Sequence, residues 1–328
     1  MASHAGTTIA EPGEIIPSGQ PTLWGRISRS PVYAAWVGFA YGSTRRQFWL
    51  LAIPAIAWIA ATHLGPILQM LHVSLLDSYP PAVGLEPGLT LTNYQRFFSD
   101  SIFFMPFLRT LAFAMALTAA TLIITFPVAY FLARHVRRDN QMALLLLLLI
   151  PFWVGEIVRT FAIMILLGNN GAINLLLRWL GLIERPIPFM YTGFSLSVGI
   201  IYLTSLYMLM PLYSALEKLP RSYSEAAADL GAGAWTRFRR ITLPLTREGI
   251  ASGCTLVFLI STGYYATPVL LGGPSTTVFA ETIAGFFHVA GDQWPTGAAF
   301  ACLMLLVSLA ITGLFTRVVG RKRQGQTR

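Results

Sequence analysis

The chain has 328 residues, 55% of them hydrophobic and 11% charged, with a net charge of +9 and a mean hydropathy of +0.61. A soluble globular chain carries about 25% charged residues, so this composition excludes a water-coated two-domain enzyme, a disordered chain and a collagen or disulfide-stapled module. It points to an all-α, polytopic membrane protein.

Residues 1–21 are rich in Gly, Pro, Ser and Thr and predict a disordered tail. Residues 32–41 are apolar but too short to span a bilayer. Glu11 and Glu14 lie ahead of them, which argues against a secretory signal and for an interfacial helix. Residues 1–47 are therefore read as an N-terminal tail. A bilayer core of about 30 Å needs roughly 20 apolar residues per helix. Six stretches qualify: 48–70, 110–133, 142–167, 195–214, 249–271 and 297–318. Residues 48–318 are read as one transmembrane domain, and 319–328 as a basic tail.

The basic residues sit between these stretches in a one-sided pattern. Eighteen of the 23 precede the first stretch, lie in the second-to-third and fourth-to-fifth connections, or close the chain. The other side holds Arg96, Arg109, Arg178 and Arg185, and Arg159 falls inside a stretch. Basic loops face the cytoplasm, so both ends and the long fourth-to-fifth loop are expected on the cytoplasmic side. An even number of crossings agrees. No basic and aromatic stripe suggests a nucleic-acid partner. Cys254 and Cys302 lie in apolar stretches and read as small packing residues. The five histidines are scattered without ligand spacing, so no metal site is expected.

The fourth-to-fifth loop, residues 216–246, reads LEKLPRSYSEAAADLGAGAWTRFRRITLPLT. Pro220 should end the preceding helix. Ser222 and Glu225 have capping-box spacing, so a helix is expected to start at Ser222. Gly231 suits its left-handed C-terminal position. Residues 234–241 can form a second short helix, stopped before Pro244. Phe238 and Ile241 can pack it onto the membrane helices. The small Ala226, Ala227 and Ala228 let a partner surface approach closely.

The spacing Glu225-Ala226-Ala227, Gly231, then Ile241-x-Leu243-Pro244 resembles the EAA loop of inner-membrane permease subunits of binding-protein-dependent ABC importers. The resemblance implies the type I importer transmembrane fold and a non-catalytic subunit. It also implies that the loop is the coupling element seated in a separate ATPase subunit. Glu225, Ala226, Ala227, Asp229, Gly231, Phe238, Ile241, Leu243 and Pro244 would carry that coupling. ATP and Mg would belong to the partner. This chain has only Lys218 and Lys322, and neither follows a glycine as a phosphate loop requires. Further partners implied are a second permease, giving a heterodimer, a periplasmic binding protein and membrane lipid.

Residues 150–177 read IPFWVGEIVRTFAIMILLGNNGAINLLL and residues 264–276 read YYATPVLLGGPST. The Pro-Phe-Trp, the Arg-Thr, Gly171 with Asn174 and the Leu-Leu-Gly-Gly resemble spermidine/putrescine permeases. A polyamine is therefore the implied solute, with opines, phosphonates and other small organic amines as the alternatives. Ile163 departs from the tryptophan frequent there, which would alter the pathway lining.

Glu156 and Arg159 lie three residues apart on one helix face. Each costs roughly 2.5–3.5 kcal/mol against lipid at the bilayer centre, so they face protein, water or headgroups. They form an internal packing pair, or Glu156 offers a carboxylate to an amine in the pathway. Phe152, Trp153, Tyr264 and Tyr265 lie near Pro151 and Pro268, where bends are expected. Their faces suit an ammonium group, while packing or an interfacial belt is the simpler use. Trp294 and Asp292 of the last outer loop are candidates to touch a binding protein. A secondary transporter would instead show paired interrupted helices with ion-binding carboxylates. A membrane enzyme would show a nucleophile and base or a metal cluster. The sequence displays neither pattern.

Overall fold

The computed structural model describes residues 43–81, 87–288 and 293–320, which form helices and connecting turns. Among them the only β pairing is an isolated bridge between Leu76 and Leu89. The expected helix at 32–41, Asp292 and the tail from 321 lie outside the described residues. Backbone contacts divide the chain into two units, Met1–Leu68 and Gln69–Arg328.

Helix α1 spans Thr44–Ile59 and passes through a π turn, Ala60–Leu64, into α2, Gly65–Ser74. The π turn ends two residues before Pro66. A proline ring clashes with the carbonyl four residues back, and the wider turn moves that carbonyl aside. Leu51 and Trp58 expose their side chains, as a lipid-facing helix does.

The second unit continues with α3 (Thr92–Ser99), α4 (Ser101–Arg134), α5 (Arg138–Leu149), α6 (Glu156–Leu167) and α7 (Ala172–Trp179). It goes on with α8 (Gly193–Glu217), α9 (Arg221–Asp229), α10 (Ala234–Leu245, with an internal π turn), α11 (Arg247–Gly263) and α12 (Ala266–Leu271). It ends with α13 (Phe279–His288) and α14 (Trp294–Gly320).

Helix α8 is the spine. Its Met208, Leu209, Leu212 and Leu216 bury against Ala129 and Leu132 of α4 and Val257 of α11. Gly249 and Gly253 of α11 permit this: a Cβ at either would lie 2.5–2.6 Å from atoms of α8. Small residues four apart give helices this close approach in a membrane. At the other end of the bundle Phe97 of α3 packs edge-on against Phe107 and Phe300, with ring centroids 5.2 and 5.3 Å apart. Some hydroxyls inside the helices are satisfied locally: Thr118 donates to the Ala114 carbonyl at 2.7 Å and Thr204 to Ile200 at 2.7 Å. Lipid offers such groups no alternative partner. Cys254 and Cys302 are free thiols.

Among the described residues five helices are long and apolar enough to cross a membrane: Phe48–Ser74, Ser101–Arg134, Glu156–Trp179, Gly193–Glu217 and Trp294–Arg317. The pair Ala234–Leu245 and Arg247–Gly263, bent by 66°, meets the same measure only when its two helices are taken together, and would be a sixth if it is one span. The expected third crossing, 142–167, is corrected. Helix α5 has 12 residues, about 18 Å, and stops in a 3-10 turn, Ile150–Trp153. Pro151 has no N–H to donate, and Gly155 is extended at φ −56°, ψ 152°. The crossing therefore starts at Glu156. The expected fifth stretch, 249–271, likewise breaks after Gly263 at the extended Tyr264.

Asn174 explains the Gly-x-x-Asn signature. It is fully buried, and its Nδ2 donates to the Gly168 and Ile187 carbonyls at 3.1 and 3.0 Å. Its Oδ1 accepts from the Ile187 N–H at 2.9 Å. One side chain thus pins the loop after α7 onto the end of α6. Trp294 packs near Tyr79 and Phe287, with centroids 5.6 and 5.8 Å apart.

Candidate functional site: an exposed loop and an intramembrane polar seam

The loop is built from α9 and α10. Pro220 stands at the N-cap of α9 with φ −60° and ψ 135°. The expected start at Ser222 is corrected: Ser222 lies inside the helix and no side chain caps it. Proline's fixed φ already supplies the extended entry that a cap requires. The far end matches expectation. Gly231 has φ +80°, its N–H donates to Ala228 at 2.8 Å, and the Ala232 N–H donates to Ala227 at 2.9 Å. These two bonds are the Schellman closure.

The expected stop before Pro244 is also corrected. A π turn, Phe238–Thr242, carries α10 through the proline to Leu245. As at Pro66, the wide turn precedes the proline by two residues. The break comes at Thr246, where α10 meets α11 at the 66° bend.

Glu225, Ala226, Asp229, Gly231, Leu243 and Pro244 are exposed, and Ala227 and Ile241 are half-buried. Leu230 is 89% exposed. Phe238 turns inward: its ring meets Phe126 of α4 edge-on at 5.6 Å and stacks on Trp235 at 5.4 Å. Arg221 Nη2 donates to the Arg134 carbonyl at 3.3 Å, and Arg237 Nη1 reaches Ser224 at 3.5 Å. The loop is thus an exposed surface fastened to the end of α4 and joined to α11.

The second cluster lies among the crossing helices. Glu156 is the first residue of α6, and its Oε1 accepts from Thr267 Oγ1 of α12 at 3.1 Å. Thr267 Oγ1 also lies 3.3 Å from Thr160 Oγ1, and both threonines are buried. Arg159 turns elsewhere. Its guanidinium sits 4.9 Å from the centroid of the Phe152 ring, and its Nε is buried without a hydrogen bond. It lines a cavity of about 270 Å³ with Thr125, Pro151, Tyr202 and Ser205. Thr125 Oγ1 is buried and unpartnered as well. Glu156 and Arg159 therefore share a helix turn but do not pair with each other, which corrects the internal-pair reading.

Phe152 also packs edge-on against Tyr207 at 5.0 Å. Trp153 is 90% exposed. Tyr264 is buried among Leu117, Leu196 and Leu203, and Tyr265 is partly exposed. Ile163 is buried against Leu167 and Leu271 and is not on the wall of this cavity. The sequence reading missed Thr267, Thr160 and Thr125. Single threonines in apolar stretches carry no spacing signal; the one available hint was Thr267 directly before Pro268 at a predicted bend.

The bundle has the fold of the transmembrane chains of an ABC transporter. Over 84% of this chain and 96% of the other, it superposes on a chain of the bacterial alginate ABC transporter solved with an alginate pentasaccharide-bound periplasmic protein. The TM-score is 0.65 at 16% identity. Residues 127–324 match the family of binding-protein-dependent transport system inner membrane components, and the chain belongs to that family. It is 35% identical to the spermidine/putrescine transport system permease protein PotB of Escherichia coli, covering 78% of this chain and 92% of that one. It is 32% identical to PotB of Haemophilus influenzae, over 78% and 88% respectively. The chain is a multi-pass inner-membrane permease of an ABC importer.

Proposed function

We propose that this chain forms half of the pathway for a small organic amine and couples it to a separate ATPase subunit through α9. The observation that carries the coupling is the loop itself, an exposed Ala-rich helix closed by Gly231 and fastened to α4 and α11. Movement of α9 would be passed to the bend at Thr246 and so to α11, a rigid element biasing two arrangements of a bundle. One such loop engages one ATPase, so a second permease supplies the other half; the family resemblance favours a different chain. ATP and Mg belong to the ATPase, and a periplasmic binding protein delivers the solute. The loop and both ends of the chain face the cytoplasm. Polyamines are the first amines to test, because two relatives carry that name. Glu156, which accepts from Thr267, is the carboxylate that would meet a cationic solute, although the charged residue on the cavity wall is Arg159.

In the assembled transporter, Glu225→Ala and Gly231→Asp should leave the amount of permease in the membrane unchanged. Uptake and the ATPase activity stimulated by loaded binding protein should both fall. Full transport by both variants would refute the coupling role.

A further inference from the structure

A groove of about 640 Å³ opens between α4, α11 and α14. Its walls are apolar and include Met115, Leu122, Ile250, Ala251, Leu314 and Phe315. The charged side chain on the wall is Arg247, the first residue of α11. Cys254 lines the same groove two turns further along α11, roughly 10 Å deeper at 1.5 Å per residue. The groove therefore has a cationic mouth and a hydrocarbon interior. Arg317 lies one turn beyond Leu314 on α14, and residues three apart share a helix face. Neither arginine side chain has a hydrogen bond or an ion pair among the described residues.

These features fit an acyl chain attached to a negative headgroup. An amine in transit would be repelled by Arg247, and an apolar helix would leave its charge unanswered. The cytoplasmic leaflet carries the anionic lipids, and each arginine near it gains about 1 kcal/mol. We infer that this groove seats one acyl chain of an anionic phospholipid, with the lipid phosphate on Arg247. The inference goes beyond the importer reading and rests on its orientation, which puts Arg247 at the cytoplasmic face. Arg247 directly follows the 66° bend between α10 and α11. A lipid there braces α11 where the coupling loop joins it.

The test uses the complete transporter, purified, delipidated and titrated with phosphatidylglycerol or phosphatidylcholine of identical chains, with bound lipid counted by native mass spectrometry. The wild type should retain phosphatidylglycerol more tightly, and Arg247→Gln should weaken that lipid about fivefold, to parity with phosphatidylcholine. Leu314→Trp, at an exposed position on the groove wall, should release both lipids. Equal retention by the wild type, or an undiminished preference in Arg247→Gln, would overturn the inference. So would a Cys254 crosslink to the second permease, which would place protein in the groove. The orientation is checked separately with a cysteine at Ala228. Labelling of that cysteine from outside would sink the orientation, whereas loss of the lipid preference alone would sink only the lipid site.

Discussion

Glu156 shows how one residue serves two demands. Its place at the first turn of α6 puts the carboxylate beside the helix N-terminus, which favours a negative charge. The hydroxyl of Thr267 takes one of its oxygens. Glu156→Gln keeps the shape and an acceptor but removes the charge. A hydrogen bond to a charged group contributes about 1.5–3 kcal/mol, so the apparent uptake KM for a diamine should rise roughly tenfold. An unchanged KM would assign Glu156 to packing α6 on α12. Thr267→Val separates the two roles: it removes the interhelical bond and leaves the charge, so it should reduce thermal stability more than it changes KM. Glu156 and Arg159 were legible in the sequence, and the threonines around them, Thr267 and Thr160, were not. An i, i+3 spacing states which helix face two residues share, but a kink at Pro151 decides which neighbour each one meets.

At the scale of elements, proline governs where the helices break and where they do not. Pro151 with Gly155 ends one helix, whereas Pro66 and Pro244 are carried through by π turns. A sequence shows the proline; it does not show whether the preceding turn can widen. The same gap explains Ser222, whose capping spacing was real but superseded by Pro220. Gly231 was legible because an Ala-rich helix followed by a lone glycine has one favourable closure. The link between loop and bundle is the ring contact of Phe238 with Phe126. An edge-on aromatic pair contributes about 0.5–1.5 kcal/mol beyond its buried area. Phe238→Ala should therefore lower binding-protein-stimulated ATPase activity severalfold while basal hydrolysis persists, and Phe238→Leu should restore part of the loss. Equal stimulation in Phe238→Ala and the wild type would show that the rings carry no coupling.

For the whole molecule, composition and charge placement were enough to predict an all-α membrane bundle, because lipid admits few other ways to satisfy a backbone. Four of the crossings were also legible: the first, second, fourth and sixth expected stretches fall inside single long helices. The third and fifth were not, since continuous hydropathy hides the breaks at Pro151 and Tyr264. Such breaks give an apolar bundle places for polar groups such as Thr267, and they put the polar seam next to a cavity. Coupling requires that a separate ATPase hold α9. The direct measurement is photo-crosslinking from a reactive side chain placed at Ala226, which is exposed, in the assembled transporter in membranes. A crosslink to the ATPase subunit that changes in yield between ATP-bound and nucleotide-free states is the predicted result. Crosslinks to the periplasmic binding protein, or to lipid alone from positions all along α9, would contradict it.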